Sequence, residues 1–383
     1  MQATDLRIAL FSGNYNYVRD GANQALNLLV GHLLRRGAQV RVYSPTTDTP
    51  AFEPVGDLVS VPSLPLPGGR DEYRFATGLK AVLPDLAAFK PNIVHVSAPE
   101  ILGHRAISWA RANQVACVAS LHTRFETYPA YYGMGFLTPL MIKALTRFYN
   151  RVDMVFPTGR GVQELLERWG VTRPMRIWSR GVDHARFNPG HRSLEWRRGL
   201  GIADDEVAVT FLGRLVLEKG LDVFGDVVAE LERRGVRHRV LVIGKGPAQE
   251  AFAERVPKAV FAGFQAGEDL GRAVASMDVF FNPSITESFG NVTLEAMASG
   301  VAVVAACSTG PIGMVEENVS GILVEPGQGA VQRYADAIQL YCENHAARLA
   351  AGQAGHRIAK TYQWDAINQK VLDAYLEVLE RRG

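Results

Sequence analysis

NPSITESFGNVTLEAMASGVAVVAACSTG, residues 282–310, reads as a strand end, a loop, a helix, a strand and a second loop. Residues 278–281 (DVFF) before it are short, apolar and β-prone, and Pro283 ends that strand. Gly290 opens a run with helical spacing, Val292 to Ala298, which Gly300 closes. Residues 301–306 (VAVVAA) form a continuous small-apolar run, the pattern of a parallel strand covered on both faces. Two carboxylates, Glu287 and Glu295, stand eight residues apart across the loop-to-helix junction. Between them Ser288, Phe289, Gly290 and Asn291 aim backbone N–H groups and a helix N-terminus outward, an arrangement suited to a diphosphate. Carboxylates beside an anion site need another partner, and sugar or ribose hydroxyls are donors for them.

Working outward, strands alternate with helices along most of the chain. Residues 6–11 (LRIALF) read as a first buried strand, followed by a loop over 12–21, a helix over 22–36 and a strand over 39–43. Strands at 58–61, 93–96, 116–121 and 154–156 continue the set, with helices expected over 73–89 and 100–113. Residues 180–190 (RGVDHARFNPG) have turn chemistry at both ends and mark a linker. A second set follows, with strands at 207–212, 239–243, 259–262, 279–281, 302–306 and 322–324. The tail carries Trp364, Ile367, Val371, Leu372, Tyr375, Leu376 and Leu379 at helical spacing. The expected class is α/β, with two doubly wound, Rossmann-like halves.

The chain has 383 residues, 47% hydrophobic and 21% charged, enough for two ordinary domains and too apolar for disorder. A net charge of +2 gives no reason to expect nucleic acid. Cys117, Cys307 and Cys342 lack metal-like spacing and read as packing residues. The N-terminal stretch does not read as a signal peptide, and no run is apolar and long enough to span a membrane. The expected setting is the cytoplasm, peripheral on the inner face of a membrane at most.

Two further stretches point to phosphate chemistry. Residues 213–220 (GRLVLEKG) follow a strand and begin a helix; Arg214 supplies a planar fork and Lys219 a point charge. Gly244 and Gly246 end another strand, while Lys245 between them reads as solvated. The dinucleotide fingerprint GxGxxG is absent after the first strand, which argues against an oxidoreductase. His122 ends a strand at the side where α/β sheets bind ligands; His95, inside a strand, reads as structural.

Glu287 and Glu295, with seven residues between them in the context TESFGNVTLEAMASG, resemble the paired-glutamate motif of retaining glycosyltransferases of family 4. The resemblance covers nearly the whole chain and is strongest over residues 211–326. It implies a GT-B fold, two Rossmann-like domains facing a central cleft. An acceptor-binding domain spans 1–180, joined by the C-terminal helix, 363–383, and a nucleotide-sugar-binding domain spans 181–362. It implies that Glu295 holds ribose hydroxyls and Glu287 sugar hydroxyls, with the backbone at Phe289, Gly290 and Asn291 helping. Arg214 and Lys219 resemble the family's diphosphate pair. Gly244, Gly263 and Phe264 fall on the donor side, Phe264 against the nucleoside base, and Gly21 would allow close approach to a phosphate or acceptor. His122 matches a histidine beside the donor sugar, and Arg180 the arginine of the family's hinge motif. Arg124 stands where mannose-using relatives often carry an acid, and with Tyr128 and Arg180 it is placed on the acceptor side.

The implied activity is transfer of a hexosyl group, with retention and without metal or other cofactor, to a lipid or glycan. GDP-mannose is the first donor expected. A UDP-sugar, carrying glucose, glucuronic acid or sulfoquinovose, is the alternative within the same chemistry, and a sugar-nucleotide epimerase is an enzymatic rival. A non-catalytic sugar-nucleotide-binding partner of a larger synthase is the alternative of another class. Residues 101–180 hold 11 Lys/Arg against 4 Asp/Glu, with Phe125, Tyr128, Tyr131, Tyr132, Phe136, Phe148 and Tyr149 among them. That patterning reads either as a core helix with a solvated face or as a surface that meets an anionic membrane.

Overall fold

The computed structural model describes residues 1–18, 20–65, 74–131 and 133–382. Residues 19, 66–73, 132 and 383, and the Tyr131 side chain, lie outside the described residues. The chain divides into two compact units, Met1–Arg180 with Trp364–Gly383, and Gly181–Gln363.

In the first unit six parallel strands run β1 (Arg7–Phe11), β2 (Gln39–Ser44), β3 (Asp57–Ser60), β6 (Ile93–Val96), β7 (Ala116–Ser120) and β8 (Met154–Phe156), in spatial order β3-β2-β1-β6-β7-β8. A separate antiparallel pair is formed by β4 (Ser63–Pro65) and β5 (Arg74–Ala76). The second unit repeats the parallel pattern with β9 (Ala208–Leu212), β10 (Arg239–Ile243), β11 (Val260–Gly263), β12 (Val279–Asn282), β13 (Ala302–Ala306) and β14 (Gly321–Val324), in order β11-β10-β9-β12-β13-β14. Every residue of β13 is buried, as a small-apolar strand covered by helices on both faces requires. In both sheets the strand order reverses beside the first strand, between β1 and β6 and between β9 and β12. Ligands of open α/β sheets bind at such points, beyond the carboxyl ends of the strands.

The C-terminal helix, Trp364–Glu380, packs on the first unit. His95 Nδ1 lies 2.6 Å from Tyr375 Oη, Trp178 Nε1 donates to Asn368 Oδ1 at 3.2 Å, and Arg382 donates to Asp153 at 2.9 Å. The fold class is therefore the expected one, two Rossmann-like units of GT-B type.

Two local expectations fail. No continuous helix covers 73–89: β5 comes first, Gly78 turns the chain at φ 135°, and a 3₁₀ turn at Lys80–Val82 precedes a helix only at Leu83–Phe89. Pro84, lacking an N–H, sits in the first helical turn, where it starts a helix instead of continuing one. Residues 213–220 likewise do not open a helix directly. They form a loop and the 3₁₀ turn Leu217–Lys219; Gly220, at φ 73°, then caps the helix Leu221–Arg233.

Candidate functional site

Two loops leave the switch point of the second unit. Residues 213–220 follow β9 and residues 283–290 follow β12. Side chains stitch them together: the hydroxyls of Ser284 and Thr286 donate to the Glu218 carbonyl at 3.5 and 3.2 Å. Lys219 Nζ meets Glu287 Oε1 at 2.7 Å, which places a cation and a carboxylate side by side. Thr309 Oγ1 donates to the Glu287 carbonyl at 2.7 Å, fixing the backbone that carries the acid.

Gly290, at φ 91°, caps the helix Asn291–Ala298. A backbone turn this sharp is cheap only for glycine, and it leaves the first N–H groups of an eight-residue helix at the loop. Glu295 is on that helix and half-buried. Burial pushes its carboxyl up to about 7, with Arg186 pulling weakly the other way. Phe289 is buried, its ring 6.1 Å from that of Tyr362, so only its backbone is offered to a ligand.

Gly244 shows why a glycine is needed beyond any ligand. Its φ is 136°, and a Cβ there would lie 1.9 Å from the Gly213 carbonyl oxygen. The close approach is locked by Gly213 N donating to Ile243 O at 3.0 Å and Leu215 N to Lys245 O at 3.1 Å. Gly244 N in turn donates to Gly263 O at 2.9 Å. Thus Gly213, Gly244 and Gly263, which end β9, β10 and β11, are brought together, with Arg214 exposed beside them. Phe264 follows and is 67% exposed, a large apolar ring with an open face.

In the first unit His122 is half-buried and engaged through both ring nitrogens. Arg180 lies 2.5 Å from Nδ1 and Ser120 Oγ 2.8 Å from Nε2. A guanidinium only donates, so Nδ1 accepts and Nε2 carries the proton. Burial, then the Arg180 charge, then His95 hold the imidazole well below its usual pKa, so the ring is neutral at physiological pH. Arg180 is buried over the Trp178 ring at 5.1 Å; burial brings it down to about 10, against the opposing pull of Asp20. Asp20 caps the first helix by accepting from Asn23 N at 2.8 Å, and Gly21 is the first helical residue. Arg124 donates to the buried Glu126 at 2.5 Å, and Tyr128 is exposed with its ring against Phe125.

With these loops in place, comparison decides the family. Residues 19–186 match the model described as Glycosyltransferase Family 4, and residues 206–344 the one described as Glycosyl transferases group 1. The chain carries a family 4 glycosyltransferase domain followed by a group 1 glycosyl transferase domain. This glycosyltransferase is 28% identical over 391 residues to a GDP-mannose-dependent alpha-mannosyltransferase of Mycolicibacterium smegmatis, covering 99% of each chain. It is 29% identical to a sulfoquinovosyl transferase of Arabidopsis thaliana, over 95% of this chain and 72% of that one. Among solved structures, a sucrose-phosphate synthase from Thermosynechococcus elongatus superposes with a TM-score of 0.78 at 21% identity, covering 98% of this chain and 99% of that one, and shows the same fold.

The structure also presents residues of the glycosyltransferase that no sequence motif marked. Glu100 ends the loop after β6 and its carboxyl rests on Gly13, in the loop after β1. A lone acid in SAPE carries no spacing signal; only the sheet order, which places β6 beside β1, brings it to the switch point.

Proposed function

We propose that the chain moves a hexosyl group from a nucleoside diphosphate sugar to a lipid acceptor, with retention of configuration and without a metal ion. The observation that carries this is the Lys219–Glu287 pair at 2.7 Å, seated where β9 and β12 diverge and next to the Gly290-capped helix. A cation and aligned N–H groups suit a departing diphosphate, while the carboxylate suits the hydroxyls of the sugar. Arg214 adds a second cation, and Glu295 takes the ribose hydroxyls. The unit Gly181–Gln363 holds the donor, Phe264 lying against its base; the other unit holds the acceptor, with Arg124 and Tyr128 on its side. His122 is neutral and already hydrogen-bonded, so its contribution is a fixed polar edge instead of proton transfer. The leaving phosphate serves as the base, and the sugar passes through an oxocarbenium-like state on one face.

GDP-mannose is the preferred donor, supported by the mannosyltransferase relative that matches over the full chain. The sulfoquinovosyl relative supports the second reading, a UDP-sugar donor. A thermal-shift panel of GDP- and UDP-sugars tests both, since a ligand that binds the native state at 100 times its Kd adds about 2.7 kcal/mol. The shift and the turnover should survive EDTA. Activity abolished by EDTA and restored by Mg²⁺ or Mn²⁺ would refute the metal-free mechanism, and no shift with either nucleotide class would refute the donor site.

The pH dependence follows from Glu295. Burial raises its carboxyl, so in this group the protonated form favours the folded state; that contribution is full below the ordinary value of 4.5 and is lost as pH rises through about 7. Donor hydroxyls bind the ionised form. Affinity for a nucleotide sugar, whose diphosphate does not titrate near neutrality, is therefore expected to increase from about pH 6 to about pH 8, by at most about tenfold per unit. Calorimetric titration of wild type and Glu295→Gln checks this: a wild-type profile as flat as the variant's removes Glu295 from the ribose.

The membrane reading gains a surface. Met134, Phe136 and Leu140 are exposed, Phe136 at 78% and Leu140 at 65%, and Lys143 and Arg147 are exposed on the same helix, Thr138–Tyr149. Leu145, Phe148 and Tyr149 on that helix are buried. Among the described residues no helix is long and apolar enough to cross a membrane. Each basic side chain near an anionic surface contributes about 1 kcal/mol. Co-sedimentation with anionic vesicles at low salt should fall in Lys143→Glu/Arg147→Glu and leave a salt-resistant part that Phe136→Ser/Leu140→Ser removes. Equal recovery of wild type and the charge-reversed chain would sink the reading.

A further inference from the structure

The first unit repeats the topology of the second, and its switch point holds a carboxylate of its own. Glu287 follows β12, beside β9; Glu100 follows β6, beside β1. Glu287 is paired with Lys219, but Glu100 Oε2 is buried and has no hydrogen-bond partner among the described residues. Both carboxylate oxygens press on Gly13, where an added Cβ would meet Oε2 at 2.0 Å and Oε1 at 2.3 Å. Next to Gly13, Asn14 Nδ2 is also buried and unpartnered among the described residues. A buried acceptor and a buried donor without a protein partner are costly, and each calls for a water, an ion or a ligand group to complete it. A hydroxyl is the group that does so for both, donating to a carboxylate and accepting from an amide.

We propose that Glu100, seated on Gly13 beside Asn14, binds a hydroxyl of the acceptor and helps select polyol- or sugar-bearing acceptors. This rests on the reading that the first unit holds the acceptor, and it names the group that does so. The raised carboxyl of Glu100, held up to about 7 by burial, fits a group awaiting a partner. Gly13 is then glycine so that the carboxyl can occupy this place; its φ lies outside the left-handed region, so the backbone itself tolerates alanine.

The test uses the full chain, with glycerol and methyl α-D-glucopyranoside as hydroxyl probes and the Glu100 carboxyl carbon followed by ¹³C NMR. At least one polyol should shift that carbon in wild type. Gly13→Ala, which pushes the carboxyl away and leaves its chemistry intact, should weaken polyol binding about tenfold or more, the range of a hydrogen bond to a charged group. Glu100→Gln should weaken it similarly and melt no lower than wild type, because no protein partner is lost. Nucleotide-sugar affinity should be unchanged in both variants. No polyol-dependent shift in wild type, or a clear drop in melting temperature for Glu100→Gln, overturns the proposal. A wild type that binds polyol but no nucleotide sugar instead overturns the donor site and leaves this one standing.

Discussion

Lys219→Ala is expected to lower turnover by about 10²–10³-fold, the cost of deleting one charge-stabilising group from a preorganised site. Glu287→Ala should lower turnover by a similar factor, and the two differ in binding. Lys219 Nζ is held 2.7 Å from Glu287 Oε1. Removing the lysine takes away the cation paired with the carboxylate that faces the incoming diphosphate, so nucleotide-sugar affinity falls together with kcat. Removing the glutamate takes one negative charge from beside the diphosphate and one partner from Lys219, so affinity holds or tightens while kcat falls. Opposite signs in Kd with equal signs in kcat are the signature of an ion pair that opens to receive an anion and a sugar separately. The double variant should be no worse in kcat than about the poorer single one, because groups that act as a unit are not additive. Small, parallel effects of both substitutions on Kd and kcat would return the pair to a surface role.

The sequence carried the second unit more fully than the first. Residues 282–310 combine a proline stop, a glycine-opened helix and a small-apolar strand, and each signal is local, so β12, the helix Asn291–Ala298 and β13 fall where they were read. Residues 73–89 failed because Phe75, Leu79 and Leu83 mimic helical spacing while Gly78 and Pro84, two local breakers, divide the stretch. Side-chain partnerships were out of reach. That Lys219 meets Glu287 across 68 residues, or that Glu100 lies on Gly13, depends on strand order, which hydrophobic patterning does not encode. Gly244 reads from sequence as a ligand-facing glycine, and packing against Gly213 supplies a second reason that no spacing rule could show.

Gly244→Ala is accordingly expected to destabilise the unit Gly181–Gln363 by about 2–5 kcal/mol, the sum of left-handed strain and overpacking. The clash is with backbone: the new Cβ would sit 1.9 Å from Gly213 O and 2.9 Å from Gly213 C. No rotamer relieves that, and the carbonyl cannot swing away without breaking the bonds from Gly213 N to Ile243 O and from Leu215 N to Lys245 O. The chain must instead part β9 from β10 at their carboxyl ends, which moves Arg214 and the loop that carries Lys219. Donor affinity should therefore fall along with stability. Gly235→Ala separates the two causes: Gly235 has φ 71°, but nothing lies within 4 Å of its added Cβ, so it reports strain alone, about 1–2 kcal/mol. Denaturant unfolding of both variants, with and without nucleotide sugar, measures the difference. If Gly244→Ala unfolds no more easily than Gly235→Ala and binds donor as wild type does, the loop after β10 is not braced on the loop after β9, and the proposal that Arg214 faces a phosphate loses its structural support.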